Sequence, residues 1–220
     1  MKKLEAVIFD MDGVLVDSEP HHVAIEKKLF QKLGLPVSEE EHAGYMGTAT
    51  DAMWEKVKQN HDADFNVDEM VQLNYEECNR HFSSLEKLEP MPGLRKVLEI
   101  LHGKNIPIAV ASSSGLETIE IILEKTGLRT YFHEVVSSTM VNKSKPAPDI
   151  FLHAAGRLKA VPENCMVIED SSNGVKAAKA AGMLCVAYSG AETSQPQPEA
   201  DIQINHFEEL ERILKQFFEK

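Results

Sequence analysis

The stretch Leu4-Glu5-Ala6-Val7-Ile8-Phe9-Asp10-Met11-Asp12-Gly13-Val14 places two carboxylates directly after a short apolar run. The run at 4–9 is β-branched and aromatic and ends abruptly at a charge, which predicts a buried strand. Two carboxylates at the carboxyl end of such a strand stand where open α/β sheets bind ligands. Because crowded carboxylates repel one another, we expect a divalent cation between or beside Asp10 and Asp12.

Strand-like runs recur along the rest of the chain and alternate with helical patterns. The further strand-like runs are 106–111, 132–136, 165–169, 183–187 and 201–204, and helical spacing is found at 93–104, 115–127, 147–158, 172–181 and 206–218. This alternation predicts an α/β protein with a parallel sheet covered by helices on both faces.

Residues 17–87 interrupt the alternation. They contain no convincing strand, and they carry helix-like apolar spacing at 21–34, 51–60 and 67–82. Met91-Pro92-Gly93 then marks the return to the alternating pattern. We therefore interpret 17–87 as a helical insertion after the first strand.

Composition and charge exclude several classes of partner. The chain has 220 residues, a formal net charge of −12 and a pI of about 5.2. Such a surface repels DNA, RNA and anionic lipid, so we expect neither nucleic acid nor membrane as a partner. No apolar run approaches the roughly 18 residues of a membrane helix, and the first residues do not resemble a signal peptide.

The three cysteines, Cys78, Cys165 and Cys185, are odd in number and far apart in the sequence. They are expected to be buried reduced thiols, which is typical of a reducing compartment. We therefore expect a cytoplasmic protein. We also expect it to act as a monomer.

Four polar features fall where predicted strands end or the next helix begins. They are Asp10 with Asp12, the run Ser112-Ser113-Ser114-Gly115, Lys145-Pro146, and Glu169-Asp170 followed by Ser171-Ser172-Asn173-Gly174. Taken singly, each has an ordinary structural explanation: a turn, a helix N-cap, a solvated lysine or helix capping. Because the ends of parallel strands converge on one edge, we expect all four to meet there.

Together these residue types suit phosphoryl transfer. A carboxylate can attack phosphorus and form an aspartyl phosphate, and a second carboxylic acid can protonate the leaving oxygen. Mg²⁺ prefers oxygen ligands and bridges carboxylate to phosphate. Hydroxyl and N–H groups at a helix start hold phosphate oxygens, and a lysine supplies fixed positive charge.

The motifs resemble those of the haloacid dehalogenase-like hydrolase superfamily, in the branch of β-phosphoglucomutases and sugar-phosphate phosphatases. The matching stretches, in the family's order, are Phe9 to Leu15, Ala111 to Ser114, Ser144 to Phe151 and Ile168 to Val175. The resemblance implies a Rossmann-like catalytic core at 1–16 and 88–220, with a helical cap domain at 17–87.

The resemblance also implies roles for the core residues. Asp10 is expected to be the nucleophile and Asp12 the general acid/base. Mg²⁺ is expected to be held by the Asp10 carboxylate, the Asp12 backbone carbonyl and Asp170, with Glu169 binding directly or through water.

Further residues are expected to bind the substrate. By the same resemblance, Ser112 and Lys145 bind the phosphoryl group, and a histidine near the position of His22 hydrogen-bonds the acid/base. The remaining candidates for substrate contacts are Met11, Ser113 and Ser114 in the core, and Gly47 and Thr48 in the cap.

The cap departs from the mutase pattern. β-Phosphoglucomutases usually carry a threonine where this chain has Val16, an arginine in the glycine-rich loop where Gly47 is followed by Thr48, and a lysine near 71–72, which is Val-Gln here. Such cationic groups hold the second phosphate of a mutase intermediate, so their absence favours hydrolysis.

We therefore predict a Mg²⁺-dependent phosphatase of small phosphorylated metabolites, with sugar phosphates as the expected class. Three alternatives stay open: a β-phosphoglucomutase-like isomerase, a non-catalytic metabolite-binding module on the same fold, and a dehalogenase. A dehalogenase does not need Mg²⁺, which would leave Glu169 and Asp170 without their expected task.

Overall fold

Six parallel strands form a single sheet in the computed structural model, which describes residues 3–45, 48–190 and 197–218. The sheet order is β3-β2-β1-β4-β5-β6. The strands are β1 (Ala6–Phe9), β2 (Ile108–Ser112), β3 (Glu134–Ser137), β4 (Cys165–Glu169), β5 (Leu184–Tyr188) and β6 (Ile202–Ile204). All six were predicted, and the Rossmann-like parallel sheet is confirmed.

The first strand lies in the middle of the sheet, between β2 and β4. Phe9, its last residue, pairs with Val110 on one side and with Ile168 on the other. The order of the strands reverses at this point, because β2 and β3 extend to one side and β4, β5 and β6 to the other. In such sheets the crevice beyond the strand ends at the reversal point is the usual ligand site.

Helices cover both faces of the sheet. They are α5 (Leu94–Gly103), α6 (Leu116–Lys125), α7 (Asp149–Arg157), α8 (Ser172–Ala180) and α9 (Phe207–Phe218). Alternate residues of β1 belong to opposite clusters: Val7 and Phe9 pack with α5, α6 and α9, whereas Ala6 and Ile8 pack with α7 and α8. Because β1 is buried on both faces, its sequence is apolar throughout rather than alternating.

In the part of the chain that the structure describes, four helices lie between β1 and α5: α1 (Glu19–Lys32), α2 (Glu39–Ala43), α3 (Thr50–Asn60) and α4 (Val67–Ser84). Trp54 is fully buried among them, with its ring 5.4 Å from that of Phe30 and 5.7 Å from that of Phe65. Helices α1 and α4 also meet where Nδ1 of His21 lies 2.8 Å from Nε2 of His81. These residues form a helical segment whose apolar side chains join the cluster of Val7 and Phe9 on one face of the sheet.

The cysteines are free and buried, as expected from the sequence. Among the described residues, none of the helices combines the length and the apolar character that crossing a membrane requires.

Candidate active site

A tight turn after β1 brings Asp10 and Asp12 to the edge of the sheet. The N–H of Gly13 donates to the carbonyl of Val16 at 2.8 Å, and Gly13 has a φ of +77°, which favours glycine. A Cβ at this position would lie 2.0 Å from Oδ2 of Asp170. Glycine is therefore required for two reasons: it allows the positive φ, and it leaves room for the side chain of Asp170 beside its Cα.

Three carboxylates from the ends of β1 and β4 lie close together, and one ammonium group contacts two of them. Carboxylate oxygens of Asp10, Glu169 and Asp170 lie within 4.8 Å of one another. The Nζ of Lys145 donates to Oδ1 of Asp10 at 2.5 Å, to Oε1 of Glu169 at 2.7 Å and to the carbonyl of Ala111 at 3.3 Å. The lysine therefore lies between the carboxylates of two neighbouring strands and faces β2 through the Ala111 carbonyl.

Residues at the start of α8 fix the carboxylate of Glu169. The N–H and the hydroxyl of Ser171 both donate to its Oε2, at 2.6 and 3.0 Å. A Cβ at Gly174 would lie only 1.6 Å from its Oε1. The Glu-Asp-Ser-Ser-Asn-Gly sequence at 169–174 thus packs a helix start directly against a buried carboxylate.

This cluster carries more negative than positive charge. Burial raises the pKa of Asp10 to about 8, although the ammonium of Lys145 opposes the shift, and the charge of Glu169 adds to it. Burial and Glu169 likewise hold the pKa of Asp170 well above its usual range. Burial alone would lower the pKa of Lys145, but the carboxylates of Asp10 and Glu169 outweigh burial and raise it.

The pKa values of the acids and of the lysine are all raised for one reason: a single ammonium is available to a cluster of three carboxylates and contacts only two of them. The ammonium is well stabilised, whereas the carboxylates are only partly neutralised. Hard oxygen donors with uncompensated negative charge fit a divalent cation such as Mg²⁺. The donor set of Asp10, Glu169 and Asp170 is therefore suited to bind such an ion.

Asp12 lies beside this cluster and accepts four hydrogen bonds of its own. Its Oδ1 receives the hydroxyl of Ser18 at 2.5 Å and lies 3.0 Å from Nε2 of His22; its Oδ2 receives the hydroxyls of Ser112 at 3.1 Å and Ser114 at 3.0 Å. Burial alone would raise the pKa of Asp12, but the charge of His22 and these hydrogen bonds lower it. The arrangement favours the carboxylate form of Asp12.

The partner histidine shows the reciprocal effect. Burial alone would lower the pKa of His22, but the carboxylate of Asp12 raises it well above its usual value. Its other nitrogen, Nδ1, lies 3.7 Å from Sγ of Cys78 on α4. His22 therefore links α1 to both Asp12 and α4, with its proton directed at Asp12.

A cavity of about 240 Å³ opens over these groups. The carboxylates at the sheet edge and Lys145 form the base of the cavity. Its opposite wall is formed by two helices: α1 contributes Glu19, His22 and Glu26, and α4 contributes Asn74, Tyr75 and Cys78. The ring of Tyr75 would lie 3.2 Å from a Cβ at Gly115, the residue that precedes α6. The absence of a side chain at Gly115 lets α4 approach the sheet edge closely.

Most of the residues singled out from the sequence lie along this cavity. The lining includes Asp10, Asp12, His22, Thr48, Ser113, Ser114, Lys145, Glu169 and Asp170. Gly47 lies outside the described residues. The side chain of Asp12 is not part of the acidic cluster. Its predicted metal contact is made by the backbone carbonyl, and the positions of the three carboxylates do not test that contact.

Two of the singled-out residues are fully buried behind the lining. Ser112 accepts the N–H of Ser114 at 3.0 Å and donates to Asp12, so its hydroxyl helps to hold the Asp12 carboxylate. Met11 has its side chain in the apolar core. Predicted phosphoryl contacts of Ser112 and Met11 stay predictions.

Sequence reasoning missed several residues of the site. Ser18 precedes α1 but makes no capping hydrogen bond with its side chain, because its hydroxyl is turned to Asp12. Gln197 donates its amide to the backbone carbonyl of Asp170 at 3.0 Å. Asn74 and Tyr75 occupy ordinary helical positions, and no local pattern marks them as cavity residues.

Comparison with known proteins agrees with this geometry. Residues 7–188 match the family model of the haloacid dehalogenase-like hydrolases. A phosphorylated carbohydrates phosphatase from Thermotoga maritima is 36% identical over 180 residues, which cover 82% of each chain. A beta-phosphoglucomutase from Bacillus subtilis is 31% identical over 94% of this chain and 92% of its own.

Among solved structures, CbbY from Rhodobacter sphaeroides in complex with phosphate matches with a TM-score of 0.83 at 26% identity, covering 94% of this chain and 96% of that chain. The family match extends from β1 to the end of β5 and includes all four strand-end motifs. This chain belongs to the haloacid dehalogenase-like hydrolase family.

Proposed function

We propose that the protein is a Mg²⁺-dependent phosphatase that hydrolyses small phosphorylated metabolites, sugar phosphates in particular, through an aspartyl-phosphate intermediate. The observation that carries the proposal is the cluster of three carboxylates, two of them buried and bound to one lysine, open to a cavity of about 240 Å³. The Thermotoga maritima relative, named as a phosphatase of phosphorylated carbohydrates, supports the same reaction class.

The metal site consists of Asp10, Asp170 and Glu169, with the backbone carbonyl of Asp12 as a further ligand. When bound, the ion supplies positive charge that offsets the repulsion between the carboxylates and an incoming phosphate. The raised pKa values of Asp10 and Asp170 support this assignment, since a cation at the cluster would stabilise both carboxylates.

Asp10 acts as the nucleophile. One of its carboxylate oxygens attacks phosphorus while the bond from phosphorus to the ester oxygen breaks. Lys145 holds the carboxylate in place and adds positive charge where negative charge spreads in the transition state. Ser113 and Ser114 lie on the cavity wall, where hydroxyl and N–H groups can hold the phosphoryl oxygens.

Asp12 acts as the general acid and then as the general base. It passes a proton to the leaving oxygen, and His22, hydrogen-bonded to it at 3.0 Å, is the source of that proton. In the second half of the reaction water attacks the aspartyl phosphate, and Asp12 accepts the proton of that water. Free phosphate then leaves, and Asp10 is regenerated.

Residues 17–87 act as a cap domain over the core at 1–16 and 88–220. Helices α1 and α4 supply the wall of the cavity that faces the sheet edge. A cap in this position excludes bulk water during the reaction and must open to release product. Gly47 and Thr48 are proposed to contact the substrate from the cap.

The test is hydrolysis of an aryl phosphate with Mg²⁺ and with EDTA, for the wild type and for Asp10→Asn. We expect turnover that depends on Mg²⁺ and falls at least a thousandfold in the variant, which keeps the size of the side chain but not its nucleophilicity. Equal rates for both proteins across a wide panel of phosphate esters would refute the proposal. Tight metabolite binding without turnover would instead favour a binding module.

A second candidate is a sugar-phosphate mutase, which the Bacillus subtilis relative favours. Incubation with β-glucose 1-phosphate and a trace of the bisphosphate separates the two activities. Glucose 6-phosphate without free phosphate would identify a mutase, and free phosphate a hydrolase.

We also propose a cytoplasmic location and a monomeric state. Three free buried thiols support a reducing compartment. Analytical ultracentrifugation would test the monomeric state.

A further inference from the structure

Three buried residues of α4 form a row along the helix beside His22. Asn74, Cys78 and Phe82 are spaced four residues apart, so they lie on one side of α4, and each is at most 3% exposed. Sγ of Cys78 lies 3.7 Å from Nδ1 of His22 on α1, and the ring of Phe82 lies 5.4 Å from the ring of His22. Helix α4 therefore holds this imidazole through a polar contact and an aromatic contact.

The two contacts constrain the imidazole differently. Half a turn about the Cβ–Cγ bond of His22 would exchange Nδ1 with one ring carbon and Nε2 with the other. The contact with Phe82 does not distinguish these orientations, because the nitrogen and carbon edges of the ring have nearly the same shape. A hydrogen bond from Nδ1–H to Sγ of Cys78 does distinguish them, since a C–H edge would otherwise face the sulfur. The thiol therefore specifies the orientation in which Nε2 faces Asp12.

The sulfur of Cys78 is held by a second donor. Nδ2 of Asn74, one turn earlier on α4, donates to Sγ of Cys78 at 3.6 Å. The contacts thus continue from Asn74 to Cys78 and to His22, whose Nε2 lies 3.0 Å from Oδ1 of Asp12. Because a thiol sulfur is only a weak acceptor, the second donor limits the positions in which it stays hydrogen-bonded.

These contacts join the proposed cap to the core. His22 and Cys78 are on two helices of the proposed cap, which are also joined where His21 meets His81, whereas Asp12 follows β1. Opening of the cap to admit a substrate breaks the contact between His22 and Asp12, but it leaves the contact between His22 and Cys78 in place. Asp12 can therefore orient the imidazole only after closure, whereas Cys78 can orient it before closure.

We propose that Cys78 is a positioning residue that holds the imidazole of His22 in the orientation that meets Asp12 when the cap closes. The role rests on the proposed phosphatase function, because Cys78 acts through His22 and not on the substrate. Without the sulfur, the imidazole can turn about its Cβ–Cγ bond while the cap is open. Some closures then bring a carbon edge to Asp12, and in these closures no proton is passed to the leaving oxygen.

The test compares two leaving groups, because an alkoxide needs a proton in order to leave and a nitrophenoxide does not. In the presence of Mg²⁺, kcat/KM is measured for para-nitrophenyl phosphate and for the sugar monophosphate that the wild type hydrolyses fastest. This parameter reports the step in which the alcohol leaves. In Cys78→Val we expect the ratio of the sugar-phosphate value to the aryl-phosphate value to fall at least fivefold.

The matched control is Cys185→Val, which makes the same substitution at a buried thiol in β5. Its ratio should equal that of the wild type. Cys78→Ala is the second variant without an acceptor, and it adds no atoms to the contact between α1 and α4. Circular dichroism verifies that each variant is folded.

Cys78→Asn tests the hydrogen bond itself. The amide oxygen of asparagine is a stronger acceptor than a thiol sulfur and reaches further from Cβ, so it can accept Nδ1–H of His22. We expect this variant to recover most of the ratio that Cys78→Val loses. A purely structural role predicts the reverse order, because valine is tolerated better than asparagine at a buried position. A ratio that stays low in folded Cys78→Asn would therefore contradict the proposed hydrogen bond.

The outcomes for this role and for the proposed function are distinguishable. If the wild type hydrolyses neither ester, the phosphatase function itself fails. If the wild type is active and folded Cys78→Val and Cys78→Ala keep its ratio, Cys78 does not position His22. Equal losses for both esters in these variants would refute the positioning role as well, since they would reflect a general disturbance of the site.

Discussion

Replacing Gly13 by alanine should impair the proposed metal site while the protein still folds. The new Cβ would lie 2.0 Å from Oδ2 of Asp170, whereas carbon and oxygen atoms in real structures stay more than 3.0 Å apart. The carboxylate must therefore retreat by about 1 Å or more. We expect Mg²⁺ affinity to fall about 10–100-fold, as for other changes that disturb how metal ligands are oriented.

Gly182→Ala is the matched control. Gly182 has a φ of +74°, close to the +77° of Gly13, but nothing lies within 4 Å of a Cβ placed there. Both variants should lose about 1–2 kcal/mol of stability from backbone strain, measured by urea unfolding. Only Gly13→Ala should lose Mg²⁺ affinity, measured by titration calorimetry. Equal Mg²⁺ affinity in the two variants would refute the assignment of Asp170 as a metal ligand.

Three further changes test other parts of the site. Lys145→Met removes the shared ammonium, so in EDTA we expect the free energy of unfolding to be about 3–5 kcal/mol lower than in the wild type. Mg²⁺ should then raise the Tm of this variant more than that of the wild type. An equal rise would argue against a site where the lysine and Mg²⁺ neutralise the same carboxylates. His22→Gln should slow hydrolysis of alkyl phosphates about a hundredfold but affect aryl phosphates less, because an aryloxide leaves without protonation; equal losses would contradict proton supply to Asp12. Burial lowers the pKa of both His21 and His81, so the stability that they contribute above about pH 6.5 should be lost as the pH falls. Urea unfolding at pH 7.5 and 5.5 should therefore show a smaller loss of unfolding free energy in His81→Gln than in the wild type.

The sheet and its helices could be predicted from the sequence because each element carries its own signal. Strands buried on both faces are continuous apolar runs, and the helices between them show apolar residues at helical spacing. The sequence patterns did not predict helix α2, because Glu39-Glu40-Glu41 has no apolar spacing. The signal for this helix is its N-cap residue Ser38, whose hydroxyl accepts the N–H of Glu41 at 3.1 Å.

The floor of the site was predictable for a related reason. Parallel pairing alone requires that Asp10 and Glu169 meet once their strands are adjacent. The wall of the site was not predictable in this way. Whether Asn74 faces the cavity or the interior of the helical segment depends on how α4 docks against α6, and the spacing along α4 does not encode that docking.

The position of His22 on α1 couples two events of the proposed mechanism: the opening of the cavity and the supply of a proton to Asp12. This helix supplies a wall of the cavity and also carries the histidine that lies 3.0 Å from Asp12, whereas the other described partners of that carboxylate are serine hydroxyls. If the helices swing outward to admit a substrate, the proton donor leaves with them. Asp12 would then keep the hydroxyls of Ser112 and Ser114 as hydrogen-bond partners but lose its proton source, so it could not assist a departing alcohol. In the proposed mechanism general acid catalysis therefore requires closure, and a half-open enzyme would have little power to cleave an ester that is not fully enclosed.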